Sequence, residues 1–87
     1  STARALAGVL ADLAATHQVI VVTHLAQVAV MADKHYVVSK EPGDVPQTHL
    51  DEVAGDARTA EIARMLSGDQ SEASLAHAKQ MLEEARG

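Results

Sequence analysis

Cysteine, phenylalanine and tryptophan are absent from this 87-residue chain, and Tyr36 is its only aromatic residue. The absence of cysteine excludes both a disulfide framework and a thiolate metal site. Large aromatic side chains normally supply much of the buried area of a core. Here the core has to be built from small aliphatic residues, within a hydrophobic fraction of 47%. Such a composition suits helices that lie close against a sheet.

Basic clusters and long apolar runs are missing as well. Seven Lys and Arg residues are scattered among twelve Asp and Glu, for a net charge of −5, which is a poor nucleic-acid footprint. The apolar runs are too short to span a bilayer, and the first residues lack the basic and apolar regions of a signal peptide. These patterns predict one small cytoplasmic domain that contacts neither DNA nor a membrane directly.

The first half of the chain predicts a helix and then a strand. One apolar helical face is formed by Leu6, Val9, Leu10 and Leu13. Ser1 or Thr2 would cap this helix, and so abrupt a start suggests a chain cut from a longer one. Residues 19–22 are four consecutive β-branched residues, a run typical of a strand buried on both faces in a parallel sheet.

The remaining elements follow from shorter signals. We expect a helix over residues 25–32 with Val28 and Ala32 on one face, and a strand over residues 35–40. After a turn, residues 45–53 would return as an edge strand, where Pro46 is tolerated.

Two helices close the predicted order. Residues 57–67 would form the first, ended by Gly68 in a left-handed conformation, with Ile62, Ala63, Met65 and Leu66 on one side. Asp69 and Glu72 resemble a capping box for the second. Its buried stripe would be Leu75, Ala78, Leu82 and Ala85. The predicted order is α-β-α-β-β-α-α, a mixed sheet flanked by helices.

Thr23 and His24 form the strongest candidate site. They follow the predicted buried strand and precede a helix, the position at which open α/β sheets bind ligands and at which a helix favours an anion. A histidine there can donate a hydrogen bond to a terminal phosphate and help to position an attacking water. A histidine that merely ends a strand is the alternative interpretation.

Other motifs carry less weight. Residues 66–70 read Leu-Ser-Gly-Asp-Gln, close to a Leu-Ser-Gly-Gly-Gln phosphate-gripping signature, but Asp69 would repel a phosphate, so we expect a helix junction. Asp51 and Glu52 resemble the acidic end of a magnesium-binding strand, yet polar residues precede them, so we expect both to be solvated. The chain has no Gly-x-x-x-x-Gly-Lys-Ser/Thr loop to hold ATP alone.

The five histidines show no metal-site spacing. They are His17, His24, His35, His49 and His77. His77 lies beside the predicted buried stripe of the last helix, and we expect it to be a surface or boundary residue.

Three segments together resemble one family. Residues 18–29, which read Gln-Val-Ile-Val-Val-Thr-His-Leu-Ala-Gln-Val-Ala, resemble the switch-histidine segment of RecN, the bacterial SMC-like DNA-repair ATPase family. Residues 63–69 and 76–82 resemble its carboxy-terminal helices. The Thr-His pair is common to many cassette ATPases, whereas its combination with Gln-Val-Ala and both helices is more specific. Ala26 departs from the pattern, because the family usually has proline there.

The resemblance implies a fold and its parts. Residues 1–87 would be the carboxy-terminal fragment of a P-loop NTPase head of the ABC/SMC type. Within it, residues 19–32 would be the switch-histidine segment, residues 35–53 the terminal hairpin and residues 57–86 the carboxy-terminal helices.

It also implies a function for the parent protein, an ATPase of recombinational double-strand-break repair in the nucleoid. His24 would be the catalytic switch histidine that contacts the γ-phosphate, and Thr23 would lie with it in the nucleotide site. The parent would bind ATP and Mg²⁺, whereas the fragment alone would bind and hydrolyse nothing. Its partners would be the rest of the head (phosphate loop, signature and magnesium-binding strand), a second head in a homodimer and, through the parent, DNA.

A different class of function is an independent, non-enzymatic interaction module whose helices pair with another chain. A metal-binding or nucleic-acid-binding domain has little support from histidine spacing or charge.

Overall fold

A computed structural model describes residues 2–86 as a small α/β structure. In chain order the elements are α1 (Thr2–Ala14), α2 (Ala26–Ala29), β1 (His35–Glu41), β2 (Gln47–Val53), α3 (Gly55–Ser67) and α4 (Glu72–Ala85). The predicted first helix, hairpin and two closing helices are confirmed. Ser1, one of the two residues expected to cap α1, lies outside the described residues, and Thr2 is a residue of the helix itself.

The predicted strand at residues 19–22 is wrong for this chain by itself. The segment forms no regular secondary structure, and Ile20 and Val22 are 86% and 96% exposed. A strand needs a neighbour to pair its N–H and C=O groups, and the one ladder within residues 2–86 joins β1 to β2. The observed order is therefore α-α-β-β-α-α, and the sheet has two antiparallel strands instead of the expected mixed arrangement.

The hairpin has a regular antiparallel register, from His35 opposite Val53 to Glu41 opposite Gln47. Because successive side chains alternate between faces, His35 and Val37 are half-buried while Tyr36 is exposed. Strand β2 begins at Gln47 instead of residue 45. Pro46, which has no N–H to give to a ladder, lies just outside it.

The core lies between α2, α3 and α4. Ile62, Ala63 and Ala78 are fully buried, and they cluster with Ala26, Ala29 and Val30. Partly buried side chains packed against this cluster are Met65, Leu66, Leu75, Met81, Leu82 and Ala85. The predicted apolar faces of both closing helices are therefore confirmed, and the small residues allow the helices to approach closely.

Helix α3 begins at Gly55, two residues before the predicted start, and ends as expected. Gly68 has φ +77° and donates its N–H to the Arg64 carbonyl at 2.7 Å. This left-handed residue satisfies one carbonyl of the last helical turn.

The predicted capping box of α4 is wrong. Ser71 is the cap, and its Oγ accepts the Ser74 backbone N–H at 3.3 Å, while Glu72 is the first residue of the helix. Asp69 Oδ1 accepts the Ser71 N–H at 3.1 Å and the Ser67 hydroxyl at 3.2 Å. Serine is as good a cap residue as aspartate, and Ser71 directly precedes the first residue of α4, whereas Asp69 lies two residues further back.

Helices α1 and α2 differ from expectation in burial and length. Within α1 only Ala7 is buried, while Leu6 and Val9 of the predicted apolar face are exposed. Helix α2 spans four residues instead of residues 25–32, although Met31 and Ala32 continue it with 3₁₀-type hydrogen bonds to carbonyls three residues earlier. Of the two residues expected to share a face, Val28 is buried and Ala32 exposed.

Candidate functional site

His24 lies at a bend between the apolar segment of residues 19–22 and helix α2. His24 is exposed, and only Leu25 separates it from the first residue of α2. An imidazole in this position can donate or accept a hydrogen bond from solvent-accessible ligands without first being uncovered.

Thr23 shapes this bend. Its half-buried hydroxyl oxygen accepts the Leu25 backbone N–H at 3.0 Å. A threonine that bonds to the backbone two residues ahead forms a local turn. Thr23 therefore connects the backbone before His24 to the backbone after it.

Helix α2 anchors the carboxyl side of the bend. Three of its four residues, Ala26, Val28 and Ala29, are buried. Leu25 precedes it with φ −98° and ψ 119° and supplies no side-chain cap. The helix is therefore held by burial and by contacts at its other end.

Those contacts come from Arg58 on α3. Its Nη2 donates to the Ala32 carbonyl at 2.7 Å and to the Ala29 carbonyl at 3.2 Å. Burial, helped by the charge of Arg86, lowers the Arg58 pKa, and Asp33 opposes this shift. Sequence patterns did not point to Arg58, because its two acceptors, the carbonyls of Ala29 and Ala32, lie more than 25 residues away along the chain.

His35, the first residue of β1, senses the charges of both Arg58 and Glu61. Burial and then the Arg58 charge lower the pKa of His35, while Glu61 acts in the opposite direction. His35 Nδ1 and Arg58 Nε are buried and find no hydrogen-bond partner within residues 2–86.

Glu61 is itself held by Arg64. Arg64 Nε donates to both carboxylate oxygens at 3.1 and 3.0 Å, and Nη2 donates a further bond. Hydrogen bonding to Arg64 lowers the Glu61 pKa, against the opposing effect of burial.

The two motifs that resemble phosphate-binding and magnesium-binding sequences lie where they were expected. Asp51 and Glu52 are exposed on β2, and Ser67 to Asp69 form the junction between α3 and α4. The Asp69 pKa is lowered, first by the Ser71 backbone N–H and then by nearby serine hydroxyls. His77 is exposed on α4, which confirms its surface position.

Residues 2–86 contain no group of three His, Cys, Asp or Glu side chains placed to hold a metal ion. No helix in residues 2–86 is long and apolar enough to cross a membrane.

Known proteins resemble this chain along most of its length, although no protein-family model matches it. The DNA repair protein RecN of Deinococcus radiodurans is 51% identical over 83 residues, which are 94% of this chain and 15% of that protein. The protein of the same name from Mycobacterium leprae is 53% identical over 78 residues, covering 88% and 13%. That from Treponema pallidum is 47% identical over 83 residues, covering 93% and 14%. The chain thus spans about a seventh of the length of these relatives, and the resemblance drawn from its sequence is confirmed.

Proposed function

Since nearly the whole chain is related to a segment of the DNA repair protein RecN, we propose that it supplies the switch histidine, His24, of a RecN-type ATPase head. The observation that carries this proposal is the exposed His24 at its bend, within a chain so similar to RecN. The full head would have the P-loop NTPase fold of the ABC/SMC type.

The parent protein would act in recombinational repair of DNA double-strand breaks, as a homodimer of heads in the nucleoid. ATP and Mg²⁺ would be held by the phosphate loop, signature and magnesium-binding strand of the remaining head. This chain has no phosphate-loop sequence and no metal ligand set within residues 2–86. The fragment alone would therefore bind no nucleotide, and DNA would be engaged by other parts of the parent.

His24 would act by hydrogen bonding. ATP supplies the phosphoanhydride bond that is hydrolysed, and the imidazole N–H of His24 would donate to an oxygen of the γ-phosphate. A preorganised donor aimed at developing negative charge lowers the barrier more than it strengthens ground-state binding. Thr23 supports this role, since its hydroxyl fixes the Leu25 N–H and with it the bend.

The exposed apolar segment before His24 supports the larger fold. Ile20 and Val22 present almost their entire side chains to solvent, and apolar stretches exposed in this way commonly mark contact surfaces. In the parent head, neighbouring strands would pair with residues 19–22 and cover them. The segment would then be the buried strand that its composition predicts.

The direct test is His24→Ala in the parent protein, with His77→Ala as the matched control. We expect kcat for ATP hydrolysis to fall by about 10²–10³, while the Kd for ATP changes by only about two- to threefold because the γ-phosphate contact strengthens mainly in the transition state. The exposed His77 on α4 should be replaceable at the parent rate. Hydrolysis by the His24 variant at the parent rate would show that the assigned role is wrong.

A calorimetric titration of the isolated chain with Mg-ATP tests whether the chain needs the rest of the head to bind nucleotide. We expect no binding heat at millimolar nucleotide. Saturable binding would mean that the chain forms a nucleotide site by itself, and the proposal would have to be abandoned.

A further inference from the structure

Helix α3 reaches across to the short helix that follows His24. Arg58 Nη2 donates to the carbonyls of Ala32, at 2.7 Å, and Ala29, at 3.2 Å. We propose that Arg58 is a positioning residue for His24, acting through α2 and coupling the carboxy-terminal helices to the phosphate-sensing site. This inference rests on the function proposed above for His24.

Helix α2 needs such a partner because it is so short. Four residues are far fewer than the roughly 12–15 at which an isolated helix becomes marginally stable in water. The last carbonyls of any helix lack intrahelical donors, and α2 also lacks a side-chain cap at its start. Arg58 Nη2 adds a second donor to the Ala29 carbonyl, which already accepts the Ala32 N–H, and it also bonds to the Ala32 carbonyl just beyond the helix. It thereby places a cation at the carboxyl end of α2, where the helix dipole favours positive charge.

Arg58 is well suited to hold a fixed position. It lies on a 13-residue helix, and Ile62, one turn further along, is fully buried in the core. The planar guanidinium presents its donors in a rigid geometry. The two backbone carbonyls are thus connected to the core through a helix that is itself anchored by a buried residue.

The effect reaches His24 through a short path. Residues 26–32 are held by Arg58 and by burial, and the Leu25 N–H is bonded to Thr23 on the other side of His24. Without Arg58, the turn of residues 29–32 would fray, and the bend would be held only by the burial of α2 and by the Thr23 bond. Displacements of about 1 Å in a catalytic geometry can cost about 10²-fold in rate.

The experiment uses the parent protein with Arg58→Met, which keeps an apolar stem and removes the donors. We expect kcat to fall by about 10- to 100-fold with KM for ATP little changed. Arg58→Lys, which keeps a donor on a stem of similar length, should restore most of the rate. The matched control is Arg64→Met, because Arg64 lies on the same helix but bonds to Glu61 instead of α2.

A double variant separates positioning from general stability. If Arg58 acts through His24, adding Arg58→Met to His24→Ala should lower kcat no further. An equal additional fall, or a lower Tm with unchanged kcat per folded molecule, would overturn the inference. An inactive His24→Ala together with a fully active Arg58→Met would overturn this inference alone, whereas a fully active His24→Ala would overturn the proposed function and this inference with it.

A second measurement does not depend on activity or on folding of the parent variant. In the 87-residue chain, Arg58→Met should accelerate amide hydrogen exchange at Met31 and Ala32, whose N–H groups close the last turn after α2. If Met31 and Ala32 exchange as fast in the variant as in the unsubstituted 87-residue chain, Arg58 does not hold this turn and the inference fails.

Discussion

The Thr23 hydroxyl oxygen accepts the Leu25 backbone N–H at 3.0 Å, so the two residues that flank His24 are bonded to each other. The bend at His24 thus connects the irregular apolar segment of residues 19–22 to α2. The hydrogen bond gives Thr23 a defined structural role beside the proposed phosphate-sensing histidine.

Replacing Thr23 with valine should loosen this bend. Valine has the same shape but no acceptor, and a hydrogen bond of this kind contributes about 1 kcal/mol net. We therefore expect the Leu25 amide in the isolated chain to exchange about fivefold faster, measured by NMR. Thr23→Ser keeps the hydroxyl, and its Leu25 amide should exchange at the rate of the unsubstituted chain. Equal rates in the valine and serine variants would contradict a role for the hydroxyl.

Lysine at position 22 should leave the isolated chain almost unchanged in stability but destabilise the full-length parent protein. Val22 is 96% exposed in the structure, so Val22→Lys should change the unfolding free energy of the isolated chain by no more than about 0.5 kcal/mol. In the parent, a neighbouring strand would bury this position, and an unpaired buried charge is strongly unfavourable.

Thermal unfolding of both proteins provides the measurement, and we expect a clear drop in Tm only in the parent. Val45→Lys is the matched control, since Val45 is 78% exposed outside the two strands. Unchanged stability of the parent Val22→Lys variant would contradict burial of residues 19–22 in the head.

Alanine at position 68 should weaken the junction between α3 and α4. Gly68 has φ +77°, and an added Cβ would meet no atom within 4 Å, so the cost is purely conformational. A left-handed L-residue costs about 1–2 kcal/mol, which urea denaturation of the isolated chain would detect. Gly43→Ala, at an open position without a positive φ, should cost less than about 0.5 kcal/mol. Equal effects of the two substitutions would show that Gly68 is not required for its conformation.

His35 should make the stability of the chain sensitive to acid. Its pKa is lowered in the folded state by burial and by Arg58, with Glu61 opposing, whereas in the unfolded chain it titrates near 6.5. The unfolded state therefore binds the proton more readily, and the free energy of unfolding falls as the pH drops below about 7 toward the folded-state pKa. Above that window His35 is neutral in both states and contributes no pH dependence.

The corresponding variant is His35→Gln, which cannot titrate. Urea denaturation at pH 7.5 and 5.5 should show a smaller loss of stability on acidification than in the unsubstituted 87-residue chain. His77→Gln, at an exposed position on α4, should keep the pH dependence of the unsubstituted chain. An unchanged acid sensitivity in the His35 variant would contradict the lowered pKa.

Residues close in sequence accounted for most of the elements that were predicted correctly. The apolar spacing of α1, α3 and α4 reflects a helical repeat that each segment carries within itself. Gly68 ends α3 as expected because the left-handed conformation depends mainly on the residue that adopts it. Similarity to RecN likewise needed only the order of residues along the chain.

Tertiary structure decided the features that depend on partners distant in sequence. Residues 19–22 have the composition of a buried strand, yet a strand forms only beside a neighbour, and residues 2–86 provide none for them. Arg58 bonds to the carbonyls of Ala29 and Ala32. This contact exists only once α2 and α3 pack on a shared core. The sequence by itself thus determined the helical segments, the hairpin and the position of His24 along the chain. The packing of the chain determined which side chains hold His24 in place, because hydrogen bonds and burial depend on distances in space.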